Sequence, residues 1–270
     1  MNTPSGQQLV IRRIVVTLDS TEAGRPALDI ALRLAAAAGA ELEGVFVENA
    51  DLIRLSALPF LREVRPWSLA EEVLSTQRMQ RDLRVLARQA EAMLMQASRA
   101  VGIGCSFRIW RGHTAEELWR TATDADILSV RAGGSAPAYA VISARVTRYG
   151  RSATTETPVS VNVLLGDSPA SERALTTTCL LARAPGTSLR VLLPAGAPQL
   201  PARIGEILAS CRQQAEFVVL ADNSPAALAA ALRARGGNTV LVADSDHPLF
   251  ATAGIGAWLE QLSGSVLLVR

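Results

Sequence analysis

Along this chain, short blocks of consecutive apolar residues alternate with longer stretches in which apolar residues return every three or four positions. The block Arg13-Ile14-Val15-Val16-Thr17-Leu18-Asp19 is rich in β-branched side chains and predicts a buried parallel strand, with Leu42 to Val47 as the next one. Between them, Asp19 and Ser20 mark a helix start, and Ala27, Ile30, Ala31, Leu34 and Ala38 fall on one helical face. Gly39 supplies the stop. The opening fifty residues therefore predict one βαβ unit.

After an irregular stretch from Asn49 through Pro66-Trp67, Ser68 and Glu71 have the spacing of a capping box, predicting a long helix from there to about Val101. Leu69, Val73, Leu83, Leu86, Ala90, Met93 and Ala97 share its apolar face. A strand at Ile103 to Trp110, a short helix at Thr114 to Thr123 and a strand at Asp126 to Val130 follow. From Val159 the same alternation begins again. Strands are expected at 159–165, 189–193, 217–220, 239–242 and 265–269, with helices near 170–184, 204–215, 225–235 and 253–262. Strands alternating with helices require parallel pairing and right-handed crossovers. The expected fold class is α/β, with two tandem open parallel-sheet domains, residues 1–155 and 156–270.

Composition narrows the chemistry. All 27 basic residues are arginine, so a Walker-type phosphate loop and Schiff-base catalysis are excluded. The net charge of +2 is small and the arginines are dispersed, which argues against nucleic acid as a partner. The most apolar long stretch, Leu28 to Val47, carries Asp29, Arg33, Glu41 and Glu43, so no membrane span is expected. The leader MNTPSGQQLVIRR lacks a cationic start followed by an apolar region, and the expected location is cytoplasmic. Cys105, Cys179 and Cys211 are odd in number and widely spaced, which favours buried free thiols.

The segments RRIVVTLDSTEAGRPALDIALRLAAAAGAELEGVFVEN, VNVLLGDSPASERALTTTCLLARAPGTSLRVLLP and SVLLVR resemble the universal stress protein family. The resemblance implies a fold of adenine nucleotide alpha hydrolase-like type in each half. In ATP-binding members it implies a site at the carboxyl ends of the first, second and fourth strands, with an acidic residue after the first strand. A Gly-x-x-Gly turn after the fourth strand and a later Gly-Ser pair cradle the phosphates there, because glycines let backbone N–H groups approach closely. By that resemblance the candidate binding residues are Asp19, Val47, Gly133, Gly134, Gly150 and Ser152.

The sequence departs from the pattern at the glycines. Gly133-Gly134 lacks the Gly-x-x-Gly spacing, and Gly150-Arg151-Ser152 is displaced and carries an inserted arginine. In the second half, Asp244 and Asp246 stand where phosphates would need donors. The family therefore implies a non-enzymatic stress-response or regulatory protein acting through a small ligand or protein partner, with weak or absent ATP binding and no required cofactor. The alternative is an ATP-binding protein with an adapted cleft in the first half and slow hydrolysis. The second half is expected to serve structure or pairing. The two halves should pack as a pseudo-dimer that covers Val266 to Val269, and whole chains should pair as a homodimer.

Three further groups of residues carry candidate chemistry. Asp244, Asp246 and His247 form either a metal-ligand set or, preferably, a capped turn. His113 is expected to be a turn histidine rather than a base. Ser20 and Ser168 lack a Gly-x-Ser-x-Gly elbow. Pro158 to Leu165 resembles both a closing and an opening strand, so either Tyr139 to Val146 closes the first sheet or that sheet lacks its closing strand.

Overall fold

The computed structural model describes residues 10–18, 24–58, 62–64, 71–73, 76–112, 115–132, 159–196, 202–234, 238–251, 258–259, 261–262 and 264–270. In chain order the elements are β1 (Arg13–Leu18), α1 (Arg25–Ala38), β2 (Glu41–Asn49), α2 (Ala50–Leu55), β3 (Arg62–Val64), β4 (Glu71–Val73), α3 (Thr76–Val101), β5 (Cys105–Gly112), α4 (Ala115–Thr121) and β6 (Ile127–Ala132). They continue with β7 (Val159–Leu164), α5 (Pro169–Ala182), β8 (Ser188–Leu193), α6 (Ala202–Cys211), β9 (Glu216–Val219), α7 (Pro225–Arg233), β10 (Asn238–Asp244), α8 (Pro248–Ala251) and β11 (Gly264–Val269).

Nine strands join into one sheet, in the order β5-β2-β1-β6-β11-β10-β7-β8-β9. Every neighbouring pair is parallel except β6 with β11, where Ala132 faces Gly264 and Ile127 faces Val269. Val266 to Val269 is buried and paired on both sides, by β10 and β6, as its apolar run requires. Since β1 and β11 occupy both edges of β6, no closing strand of the first half stands beside it. Tyr139 to Val146 lies outside the described residues.

Both faces are covered, which is why the strands are apolar at successive positions. One face packs under α1, α3, α5 and α6, with Ile14, Leu34, Leu94, Leu175 and Val242 in a core that runs across the β6–β11 seam. The other carries Leu118 and Trp119 of α4, Leu228 of α7, Phe250 of α8 and Trp258. Trp119 and Trp258 are buried there and Trp110 packs, partly buried, against the same cluster, so these tryptophans serve the core; Trp67 lies outside the described residues.

The long helix begins later than its sequence suggests. Glu71 and Val73 belong to β4, which pairs antiparallel with β3, so the Ser68–Glu71 spacing is not a capping box and Val73 is not on the helix. From Thr76 the periodicity holds, and Met79, Leu83, Ala87, Ala90, Met93 and Leu94 are buried. α1 ends at Gly39, whose φ of 66° and N–H bond to the Ala35 carbonyl make the left-handed stop. Among the described residues, no helix is long and apolar enough to cross a membrane.

Candidate functional site

An open parallel sheet forms its crevice where the strand order reverses, at the carboxyl ends of the strands. Here that point occurs twice, between β1 and β6 and between β7 and β10.

At the second crevice, β7 runs into Leu165-Gly166-Asp167-Ser168. Ser168 is extended and caps α5, its Oγ accepting from the Ser171 N–H at 3.0 Å, with Pro169 pre-set as the first helical residue. The same Oγ is bonded to the carboxylate of Asp244 at the end of β10. Ser171 Oγ lies 3.1 Å from Ser168 Oγ and accepts from the Gly166 N–H at 3.0 Å. Ser168 has one hydroxyl proton, and a carboxylate is its strongest acceptor, so the chain runs from the Gly166 N–H through the Ser171 and Ser168 hydroxyls to Asp244. The other Asp244 oxygen accepts from the Asp246 N–H at 2.8 Å. Asp244 is buried and Asp246 is exposed.

His247 closes the floor. It is buried, with Nε2 3.1 Å from the Leu165 carbonyl and Nδ1 accepting from the Leu249 N–H at 3.2 Å. Only the neutral Nε2–H tautomer satisfies both bonds. Burial holds its pKa below the ordinary value, opposed by the Leu165 carbonyl and by Asp244 and Asp167. The ring lies so close to Gly166 that a Cβ there would stand 2.9 Å from His247 Cδ2, which is the reason for a glycine at that position. Both ring nitrogens of His247 and both Asp244 oxygens are thus engaged in bonds that cap and close this turn. No group of three potential metal ligands occurs among the described residues.

The first crevice is described only in part. Leu18 is buried at the end of β1, and Thr17 Oγ1 reaches the Ser129 carbonyl at 3.4 Å. The buried Ser129 hydroxyl donates to the Ala27 carbonyl of α1 at 3.2 Å. Val47 is half-buried near the end of β2, packed on the same side as Trp110. Beside it on the opposite face, Glu48 is buried and paired with Arg111 at 2.9 Å. Of the residues singled out for binding, Val47 alone is placed; Asp19, Gly133, Gly134, Gly150 and Ser152 lie outside the described residues, as do His113 and Ser20.

Sequence reasoning passed over Ser171, Glu48 and Arg111. The Ser168-x-x-Ser171 spacing was a signal for the cap, but its link to Asp244 spans 76 residues and no local pattern announces it.

Fold and crevices together define an α/β protein with a doubly covered, mostly parallel sheet. No protein-family model and no curated protein matches the sequence. In structure, the chain is similar to a universal stress protein from Archaeoglobus fulgidus, at a TM-score of 0.53 and 11% identity, with 96% of each chain covered. A protein of the universal stress protein family from Burkholderia pseudomallei is matched at a TM-score of 0.32 and 14% identity, over 80% of this chain and 98% of that one. The first of these carries the statement that the fold is of universal stress protein type.

Proposed function

We infer that the chain is a divergent universal stress protein of two tandem copies, residues 1–155 and 156–270, acting without catalysis as a cytoplasmic stress-response or regulatory protein. It works by binding a small ligand or a protein partner, and ATP binds weakly or not at all. The observation that carries this reading is the Ser168–Asp244 bond, which spans the second crevice and puts a buried carboxylate where a phosphate would need donors. The tandem reading draws support from strand order: 5-2-1-6 on one flank and 9-8-7-10 on the other both place the first strand between the second and the fourth. The antiparallel β6–β11 seam is the contact through which the two copies form a pseudo-dimer.

In the first half the glycine pattern is broken. Each lost backbone donor to a charged phosphate costs about 1 kcal/mol or more, so three of them weaken binding by roughly a hundredfold or more. Calorimetry of the full chain with ATP and magnesium tests the reading. The expected result is no saturable binding at ATP concentrations of about 100 μM. Tight, magnesium-dependent binding that persists in Asp244→Ala and is lost in Asp19→Ala and Gly134→Val would overturn it in favour of an adapted nucleotide cleft in the first half.

A further inference from the structure

We propose that β9 is a docking surface for a second copy of this chain, the two β9 strands pairing antiparallel about a two-fold axis. β9 and β5 are the two edges of the nine-stranded sheet, and among the described residues no strand covers the outer side of either. An edge offers unpaired N–H and C=O groups to any passing strand unless something guards it. Charge guards β5, where Arg108 and Arg111 stand along the strand, each paired with a carboxylate of β2. β9, Glu216-Phe217-Val218-Val219, holds no basic residue and leaves Phe217 43% and Val219 62% exposed.

The register fixes which groups are on offer. Successive residues of a strand turn their backbone groups to opposite neighbours. The Leu220 N–H donates to the Leu193 carbonyl at 2.8 Å, and Val218 stands opposite Leu192. Glu216 and Val218 therefore turn their backbone groups to β8, and Phe217 and Val219 turn theirs outward. Phe217 and Val219 are also level with Val191 and Leu193, which belong to the core beneath α5 and α6, so their exposed side chains lie on that face. α6 is bare on its solvent side: Gly205, Glu206 and Ala209 are exposed, and a Cβ at Gly205 would meet nothing within 4 Å.

A second copy is the occupant because this edge is complementary to its own reverse. With the two-fold axis at Val218, Phe217 faces Val219 of the second copy, and Val219 faces its Phe217, in the positions that exchange both backbone bonds. An aromatic residue opposite a β-branched one is a favourable pair, and like charges directly opposite are the penalty to avoid. Glu216 meets that requirement, since it falls opposite Leu220 and not opposite another carboxylate. The contact uses the same patch on both copies, so the assembly closes at two. On the α6 side the Phe217 and Val219 side chains of both copies form one apolar cluster flanked by the two α6 helices. A four-residue strand with this flank is smaller than the roughly 1,600 Å² of a standard interface, so the pairing is reversible and depends on concentration. It needs no ligand in either crevice and stands apart from the functional reading above.

Sedimentation velocity of the full chain without ligand, from about 1 to about 500 μM, tests this. The expected result is a monomer that passes into a dimer, and no larger species, as concentration rises. Val219→Pro removes an outward N–H and leaves the ladder to β8 intact, so it should weaken the dimer at least about tenfold with an unchanged far-UV spectrum. Val219→Lys, a guard charge at the same exposed position, should do the same and serves as the second variant if proline disturbs the strand. Ile109→Lys, on the exposed side of β5, should leave the dimer as it is. A monomer throughout the range would overturn the inference and leave this edge to an extended strand of another protein. A dimer that persists in both Val219 variants, or is lost in Ile109→Lys, would place the contact elsewhere and overturn it too.

Discussion

The third residue of β2 and the third residue of β8 occupy matching places on the two flanks of the sheet and face the same layer, yet one is Glu43 and the other Arg190. Both are buried. Glu43 is held between Arg13 at 3.3 Å and Arg108 at 2.9 Å, two guanidinium groups about a third exposed. Arg190 instead donates to the Ala231 carbonyl at 2.8 Å, near the end of α7, and lies 3.4 Å from Asn162 Oδ1; its nearest paired carboxylate, Glu216, is 3.9 Å away. The acid is neutralised by charge, the base by dipoles. A backbone plan used on both flanks thus leaves the sign of a buried charge free, provided that each flank supplies partners of its own.

Arg190→Ala breaks the comparison most severely. It leaves the Ala231 carbonyl and Asn162 without their donor and opens a cavity beside β8, and the expected loss is about 3–5 kcal/mol in urea-induced unfolding. A loss under about 1 kcal/mol would show that the dipoles were not holding the charge.

The buried, neutral His247 makes the second flank acid-sensitive. Its folded pKa is below the ordinary 6.5, so the unfolded chain binds the extra proton first. Stability is therefore full above pH 6.5 and falls as the pH drops from there to the lowered folded value. His247→Gln should flatten that part of a stability–pH curve, and an unchanged slope would rule out His247 as its source.

Glu43→Gln is expected to cost less, about 1 kcal/mol, because water already screens Arg13 and Arg108 in part. The loss should shrink in high salt, whereas that of Arg190→Ala should not. Equal salt dependence of the two would erase the distinction between pairing by charge and pairing by dipoles.

The smallest effect has the opposite sign. α3 ends at Gly102, with φ 76°, and α6, which follows β8, ends at Arg212, with φ 54°. Each is followed by a residue whose N–H reaches five positions back, Ile103 to Ser98 and Gln213 to Leu208, the bond of a Schellman cap. Only the arginine carries a Cβ penalty there, so Arg212→Gly should raise stability by about 0.5–1 kcal/mol, read as a higher thermal midpoint. A lower midpoint would mean that the Arg212 side chain contributes more than its strain costs.

Each of these contrasts joins what the sequence shows to what it conceals. The strand blocks, the helix of α1 with its Gly39 stop, the Ser168 cap and the need to cover Val266 to Val269 follow from periodicity and local backbone preference, which act over a few residues. The same local reading misplaced the start of α3, because Ser68 and Glu71 have capping-box spacing while pairing with β3 draws Glu71 into a strand. The union of both flanks into one sheet was decided by tertiary structure. β6 meets β11 across more than a hundred residues, and neither strand's pattern names the other as its partner. Ser168 meeting Asp244 and the two bonds of His247 have the same origin. Local sequence determines which groups need a partner, and only the packed chain determines which partner is within about 3 Å.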